Sequence, residues 1–186
     1  MSTDTDRSQV IPEAAGYDLI GDVHGCAHTL ERLLTLMDYR CIDGVWQHSE
    51  RKVIFLGDIV DRGPRIREAL QIVYNMVQSD QAAMIMGNHE HNNLTYCTKA
   101  PEGFGSEYLR THTERHNRLI RETLEQFEDY PEEWAMYLEW FKTLPLYLEH
   151  QQFRVVHACW QHDLIEGLTQ RTGTALLDES LLIESV

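Results

Sequence analysis

The chain has 186 residues, the length of one domain, and enough apolar sequence to bury a core. Its 30 acidic and 16 basic residues give a formal net charge of −14, which argues against non-specific binding to nucleic acid or to anionic membranes. No apolar run reaches the length of a membrane span, so we expect no membrane association. The four cysteines lack a C-x-x-C spacing, which favours reduced thiols and a cytoplasmic protein.

The first half of the chain alternates between strand and helix patterns. Residues 1–15 are polar and lack periodicity, so we expect a mobile tail in front of one domain over residues 16–186. Apolar runs at 17–20, 53–56 and 82–86 predict three strands, and apolar residues at helical spacing between them predict two helices. This β-α-β-α-β order predicts an α/β fold with parallel strands and right-handed crossovers.

The pattern changes from about residue 99 to residue 142. A polar stretch followed by two amphipathic helical patterns predicts a helical insertion beside the sheet. Two apolar segments, residues 146–150 and 153–156, predict a β-hairpin near the carboxyl end, and its second arm leads into His157.

Each of the three predicted strands ends in a short motif bounded by glycine. The motifs are residues 21–25 (GDVHG), 57–63 (GDIVDRG) and 87–90 (GNHE). Because α/β proteins place their sites at the carboxyl edge of the sheet, we expect the polar side chains of these motifs to lie together. Within the third motif, we expect Glu90 to cap or pair locally rather than to act on a substrate.

These side chains are suited to binding metal ions. Asp22 and His24 point the same way if their segment is extended, so both can bind one cation. Asp58 can bridge two ions, while Asn88 and His157 offer an amide oxygen and an imidazole nitrogen to the second. Mixed imidazole and carboxylate ligands suit Mn, Fe or Zn, and two such ions can hold a bridging hydroxide for in-line attack at phosphorus.

The motifs, together with VVHA at residues 155–158, resemble the calcineurin-like metallophosphoesterase superfamily in its serine/threonine protein phosphatase and diadenosine tetraphosphatase branch. The resemblance implies a metallophosphoesterase fold and two metal ions. The metal ligands that it implies are Asp22 and His24 for the first ion, Asp58 as the bridge, and Asn88 and His157 for the second.

The resemblance also implies catalytic roles. His89 corresponds to the general acid, Asp61 to the carboxylate that orients it, and Arg62 to an arginine that grips phosphate oxygens. From the residues alone, a buried Asp61–Arg62 ion pair and a core role for His157 are the structural alternatives.

Two departures from the family pattern bear on function. Met86 stands where the family's protein phosphatases carry arginine, which favours a phosphorylated small molecule or nucleotide over a phosphoprotein. The family also completes its second metal site with a later histidine, whereas His162 is too near His157 to match. The chain therefore resembles a member shortened at its carboxyl end, with an incomplete second sheet and an exposed strand edge that favours self-association.

The predicted function is that of a hydrolase. A hydroxide bridging two divalent metals, manganese by preference, attacks a phosphate ester or phosphoanhydride of a small molecule or nucleotide. One alternative is a serine/threonine protein phosphatase. The other is an inactive truncated relative that acts as a metal-binding or regulatory module.

Overall fold

The computed structural model describes residues 11–186. Most of the predicted mobile tail therefore lies outside the described residues, and that expectation stays a prediction. Of the remaining part, the Ala15 N–H donates to the Glu50 carbonyl at 2.9 Å, and Pro12 accepts from the Tyr17 hydroxyl, also at 2.9 Å. These bonds hold residues 12–15 against the body of the protein.

The described strands and helices follow in this order: β1 (Gly16–Ile20), α1 (Ala27–Leu36), β2 (Arg40–Ile42), β3 (Val45–Gln47), β4 (Arg51–Phe55), α2 (Ile66–Gln78), β5 (Ala82–Met84), α3 (Asn88–Cys97), α4 (Glu114–Phe127), α5 (Pro131–Phe141), β6 (Tyr147–Glu149), β7 (Arg154–Val156), α6 (His162–Thr172) and α7 (Glu179–Glu184). None of the helices in residues 11–186 combines the length and the apolar character needed to cross a membrane.

A parallel sheet in the order β1-β4-β5 forms the centre of the fold. Ile20 aligns with Phe55, and Phe55 aligns with Met84, so the three strands end level with one another. The central strand is buried on both faces, which is why its sequence is continuously apolar from Val53 onward. The prediction of an α/β fold with parallel strands is confirmed.

Side chains alternate along β4 between two apolar clusters. Phe55 points into the larger cluster, where it packs with residues of α1 and α2 such as Leu34 and Leu70. Ile54 points the other way and joins Leu148 of β6, which pairs antiparallel with β7. The predicted hairpin is therefore present and covers the second face of the sheet.

The region 99–142 contains α4 and α5, as the sequence predicted. Trp134, Tyr137 and Phe141 of α5 are buried in the main core, which fixes this helix against the rest of the domain. An additional hairpin, β2–β3, was not predicted. Its turn is Asp43-Gly44, both with positive φ (51° and 81°), and Asp-Gly is a typical two-residue hairpin turn.

The ends of β4 and β5 approach each other closely at Gly57, and we predict that alanine there is poorly tolerated. Gly57 has φ +91°, and an added Cβ would lie 2.4 Å from the Gly87 nitrogen. Gly57→Ala should lower the free energy of unfolding by about 3 kcal/mol, since both backbone strain and overpacking oppose it. The control, Gly44→Ala, has φ +81° but meets nothing within 4 Å, so it should cost only about 1 kcal/mol. Urea unfolding followed by circular dichroism measures both, and equal losses would contradict the packing explanation.

Candidate metal centre

The loops that follow β1 and β4 form one hydrogen-bonded unit. The Asp58 carbonyl accepts from the Val23 and His24 N–H groups at 3.0 and 2.9 Å, and the Ile59 carbonyl accepts from Gly25 at 2.7 Å. His24 and Gly25 form a turn, with His24 at φ +44°, so residues 21–25 are not the extended segment expected from the sequence. The Asp22 and His24 side chains nevertheless stay close, with 3.6 Å between Oδ2 and Nε2.

Glu90 ties this unit to the amino terminus of α3. Its fully buried carboxylate accepts from the N–H groups of Asp58 (2.7 Å), Ile59 (2.8 Å) and Gly87 (3.0 Å). Burial raises the pKa of Glu90, and the hydrogen bonds from these N–H groups oppose that rise. Local capping was the expectation, but the bonds to residues 58 and 59 reach across to another loop.

Asp58 lies at the middle of the cluster and is 3% exposed. Its Oδ1 accepts from the His89 N–H at 2.9 Å, at the positive end of α3. Its Oδ2 faces three imidazole nitrogens, the Nε2 atoms of His157, His24 and His89, at 3.5, 3.8 and 4.0 Å. Oδ2 is thus left free of hydrogen bonds to the backbone, and the atoms around it are imidazole nitrogens, a ligand type that suits a transition metal.

Two of these imidazoles are oriented as metal ligands usually are. His24 Nδ1 lies 2.8 Å from the Val60 carbonyl, and His157 Nδ1 lies 2.6 Å from the Leu56 carbonyl. A carbonyl can only accept, so each Nδ1 carries the proton and each Nε2 presents a lone pair. His24 Nε2 is buried without a hydrogen-bond partner, which is unfavourable unless a cation completes it. The residues present therefore fit a metal site.

The other expected ligands lie around the same centre. Asn88 Oδ1 is 3.0 Å from His157 Nε2. Ligand atoms lie within 4.8 Å of one another in two groups, Asp22–Asp58–His157 and His24–Asp58–His89. All five predicted ligands are thus brought together, whereas His162 lies on the surface near Glu166, at 3.9 Å.

His89 is held by a buried carboxylate. Its Nδ1 lies 2.6 Å from Asp61 Oδ2, and this hydrogen bond raises the pKa of His89 against the opposing effect of burial. Nη2 of the exposed Arg62 lies 3.1 Å from His89 Nε2. Asp61 therefore pairs with the imidazole and not with Arg62, so the alternative of a buried Asp61–Arg62 ion pair is wrong.

Sequence reasoning missed two residues that hold Asp61. Asn93 Nδ2 donates to both carboxylate oxygens at 3.1 Å, and the Thr123 hydroxyl donates to Oδ1. Thr123 is fully buried between Ile120 and Phe127 on the inner face of α4. A polar residue at an apolar position of an amphipathic helix was the available signal.

Met86 takes part in packing rather than in the centre. It is 4% exposed and belongs to the main apolar core, where it lines a cavity with Leu94 and Leu182. The Met86 side chain therefore offers no contact to a substrate in place of the arginine that the family's protein phosphatases carry at this position.

Comparison with curated proteins reveals clear relatives. The chain is 34% identical over 163 residues to the asymmetrical bis(5'-nucleosyl)-tetraphosphatase PrpE of Oceanobacillus iheyensis. This alignment covers 86% of the present chain and 62% of PrpE. It is 29% identical over 141 residues to the symmetrical bis(5'-nucleosyl)-tetraphosphatase of Vibrio cholerae, covering 75% and 43%. The chain spans about three fifths of the length of PrpE.

Solved structures support the fold. The cold-active protein-tyrosine phosphatase of a psychrophilic Shewanella aligns with a TM-score of 0.54 over 95% of this chain and 55% of that one, at 21% identity. A family model described as calcineurin-like phosphoesterase matches residues 17–172. Since this match includes the three motif loops and the hairpin that carries His157, the chain belongs to the calcineurin-like phosphoesterase family.

Proposed function

We propose that this chain hydrolyses a phosphoanhydride bond of a nucleotide with the help of two divalent metal ions. The observation that carries the proposal is the convergence of two imidazole Nε2 atoms, those of His24 and His157, on one oxygen of Asp58, at 3.8 and 3.5 Å. The Nδ1 atoms of both rings face backbone carbonyls, so each Nε2 turns a lone pair toward the carboxylate, an unfavourable arrangement that a bound cation stabilises. Family membership and the names of the relatives point the same way.

The metal ligands are assigned from the geometry and the family pattern. Asp22 and His24 would hold one ion, Asn88 and His157 would hold the other, and Asp58 would serve both. Manganese is the proposed metal, because carboxylate, amide and imidazole ligands are mixed here. When bound, two such ions supply an activated water and neutralise phosphoryl charge.

The remaining residues bind the substrate and move a proton. His89 donates the proton on Nε2 to the departing oxygen, while Asp61 holds the Nδ1–H and keeps the ring in place. Arg62 is exposed beside His89 Nε2, where its planar guanidinium can contact two phosphoryl oxygens at once. A phosphoprotein is the weaker alternative, because Met86 is buried and offers no charged contact.

Two further features are part of the proposal. The four cysteines are free thiols, which suits the cytoplasm. Strand β1 lies at the edge of the sheet with Leu19 54% exposed, so this edge is where self-association would occur. The molar mass measured by light scattering at several concentrations tests the second feature, and a monomer at all concentrations contradicts it.

Acid catalysis by His89 predicts a dependence on the leaving group. His89→Asn should lower kcat for phenyl phosphate about 100-fold, since the phenolate needs a proton. For 4-nitrophenyl phosphate, whose leaving group departs unaided, the loss should be much smaller. His91→Asn is the matched control, because His91 lies on the same helix and bonds to Ser185. Steady-state rates give the ratio, and equal losses on both substrates would argue against the role of His89.

Asp61 should set the pH range of activity. Its carboxylate raises the pKa of His89, so the imidazole stays protonated to higher pH. Asp61→Asn removes that effect, and the alkaline limb of kcat/KM should move to lower pH. Thr123→Val removes a hydrogen bond to Asp61 but keeps the carboxylate charge, so the alkaline limb of this variant should move less. A pH profile unchanged by Asp61→Asn would contradict the pairing.

Asp58 should control metal content. Asp58→Asn weakens the contact to both ions, so the affinity for manganese should fall more than about 10-fold and turnover should be lost with it. Asp43→Asn makes the same change in an exposed turn and should leave metal content unchanged. Elemental analysis after dialysis measures both variants. If Asp58→Asn retained two ions, Asp58 would not be a ligand shared by both. A single ion in the unaltered chain would favour the alternative of a regulatory module.

A further inference from the structure

An open cleft of about 540 Å³ runs along α4 and is not part of the metal centre. We call it the Tyr96 cleft, and its lining residues are Tyr96, Glu114, Asn117, Arg118, Arg121, Leu124 and Glu125. Its lining combines one aromatic ring, an amide, an apolar side chain and equal numbers of positive and negative groups. That mixture suits a nucleoside better than a chain of phosphates, because the two glutamates offset the positive charge of the two arginines.

The aromatic ring in this cleft is held rigidly. His112 stacks on Tyr96 with 3.7 Å between ring centroids and 8° between planes, and Tyr108 stacks on His112 at 4.3 Å. The Tyr96 hydroxyl donates to Asn117 Oδ1 at 2.9 Å. A ring fixed both by stacking and by its hydroxyl loses little freedom when a planar ligand binds, which favours affinity.

The cleft and the metal centre are built on the same two helices, α3 and α4. Leu124 lies in the lining of the cleft, and the preceding residue, Thr123, donates to the Asp61 carboxylate. Along α3, Tyr96 follows His89 by seven residues, so it lies on the same face two turns further on, about 10 Å along the helix axis. A nucleoside at Tyr96 and a phosphate at His89 are thus two helical turns apart, a separation that a polyphosphate chain can span.

We propose that the Tyr96 cleft binds the nucleoside of a nucleoside polyphosphate, with the base stacked on Tyr96, while the polyphosphate extends to Asp58 and Arg62. The base has an apolar face for the ring and for Leu124, and the glutamates accept hydrogen bonds from ribose hydroxyls. Base stacking on an aromatic side chain is tolerant of base identity, so purine nucleosides are all expected to bind. This subsite presupposes the hydrolytic activity proposed above for its role in turnover, but not for nucleoside binding.

Direct binding separates the subsite from catalysis. AMP and ribose 5-phosphate are compared on the metal-free full chain by saturation-transfer NMR. AMP should receive saturation at its adenine protons, and Tyr96→Leu should weaken AMP binding about 10-fold. Tyr96→Phe keeps the ring and should retain binding. Tyr130→Leu, at an exposed tyrosine outside the cleft, is the matched control.

Turnover is the second readout. For diadenosine tetraphosphate relative to 4-nitrophenyl phosphate, Tyr96→Leu should lower the ratio of kcat/KM values about 10-fold. AMP binding that requires Tyr96 in a chain without hydrolysis would support the subsite and overturn the proposed function. Hydrolysis with an unchanged ratio and unchanged AMP binding in Tyr96→Leu would overturn the subsite alone.

A second substitution tests the subsite if circular dichroism shows that Tyr96→Leu is not folded. Leu124→Glu places a charge on the wall of the cleft and should also weaken AMP binding. Equal signals from AMP and ribose 5-phosphate in the unaltered chain would overturn the subsite outright.

Discussion

The buried carboxylate of Glu90 is the interaction on which the centre depends. A carboxylate without solvent is unfavourable unless donors surround it, and here backbone N–H groups of two loops supply them. In return, the loop that carries Asp58 is locked to the helix that carries Asn88 and His89. Because the position of Asp58 follows from this lock, the distances from its Oδ2 to the surrounding imidazoles follow from it as well.

The same loops hold strained backbone. Four residues of these loops have φ between 44° and 69°, a region that residues other than glycine rarely adopt. They are His24, Asp58, Asp61 and Arg62. Each such residue costs of order 1–3 kcal/mol and persists only where neighbouring contacts determine the conformation. For Asp58 and His24 those contacts are the hydrogen bonds to Glu90 and to the Asp58 carbonyl. For Asp61 they are the hydrogen bonds with Thr123 and Asn93, so rigidity and strain occur together at the place where the chemistry is proposed.

Much of this centre was predictable, for a physical reason. Parallel strands that end level bring their following residues together, so Asp22, Asp58 and Asn88 could be assigned to one place from apolar runs and motif positions. The side chains that hold the residues of the centre from distant segments could not be predicted. Neither spacing nor periodicity links Thr123 to Asp61, for example, because the two lie 62 residues apart in sequence. The orientation of each imidazole likewise depends on backbone carbonyls whose direction is set only by the folded turns. The short β2–β3 hairpin was missed because each strand has three residues and none of them is buried, too little for an apolar pattern.

The parallel order β1-β4-β5 also has a consequence for how the chain folds. Each pairing joins segments separated by a helix, so the contacts that define the sheet are far apart in sequence, and such topologies fold slowly. Glu90 follows β5, the last of the three strands in sequence, and until β5 pairs with β4 the loop around Asp58 lacks its main restraint. An intermediate built from β1 and β4 alone would contain Asp22, His24 and Asp58 but not their final arrangement. We therefore expect tight metal binding to appear late in folding, together with the native sheet, rather than to guide its early steps.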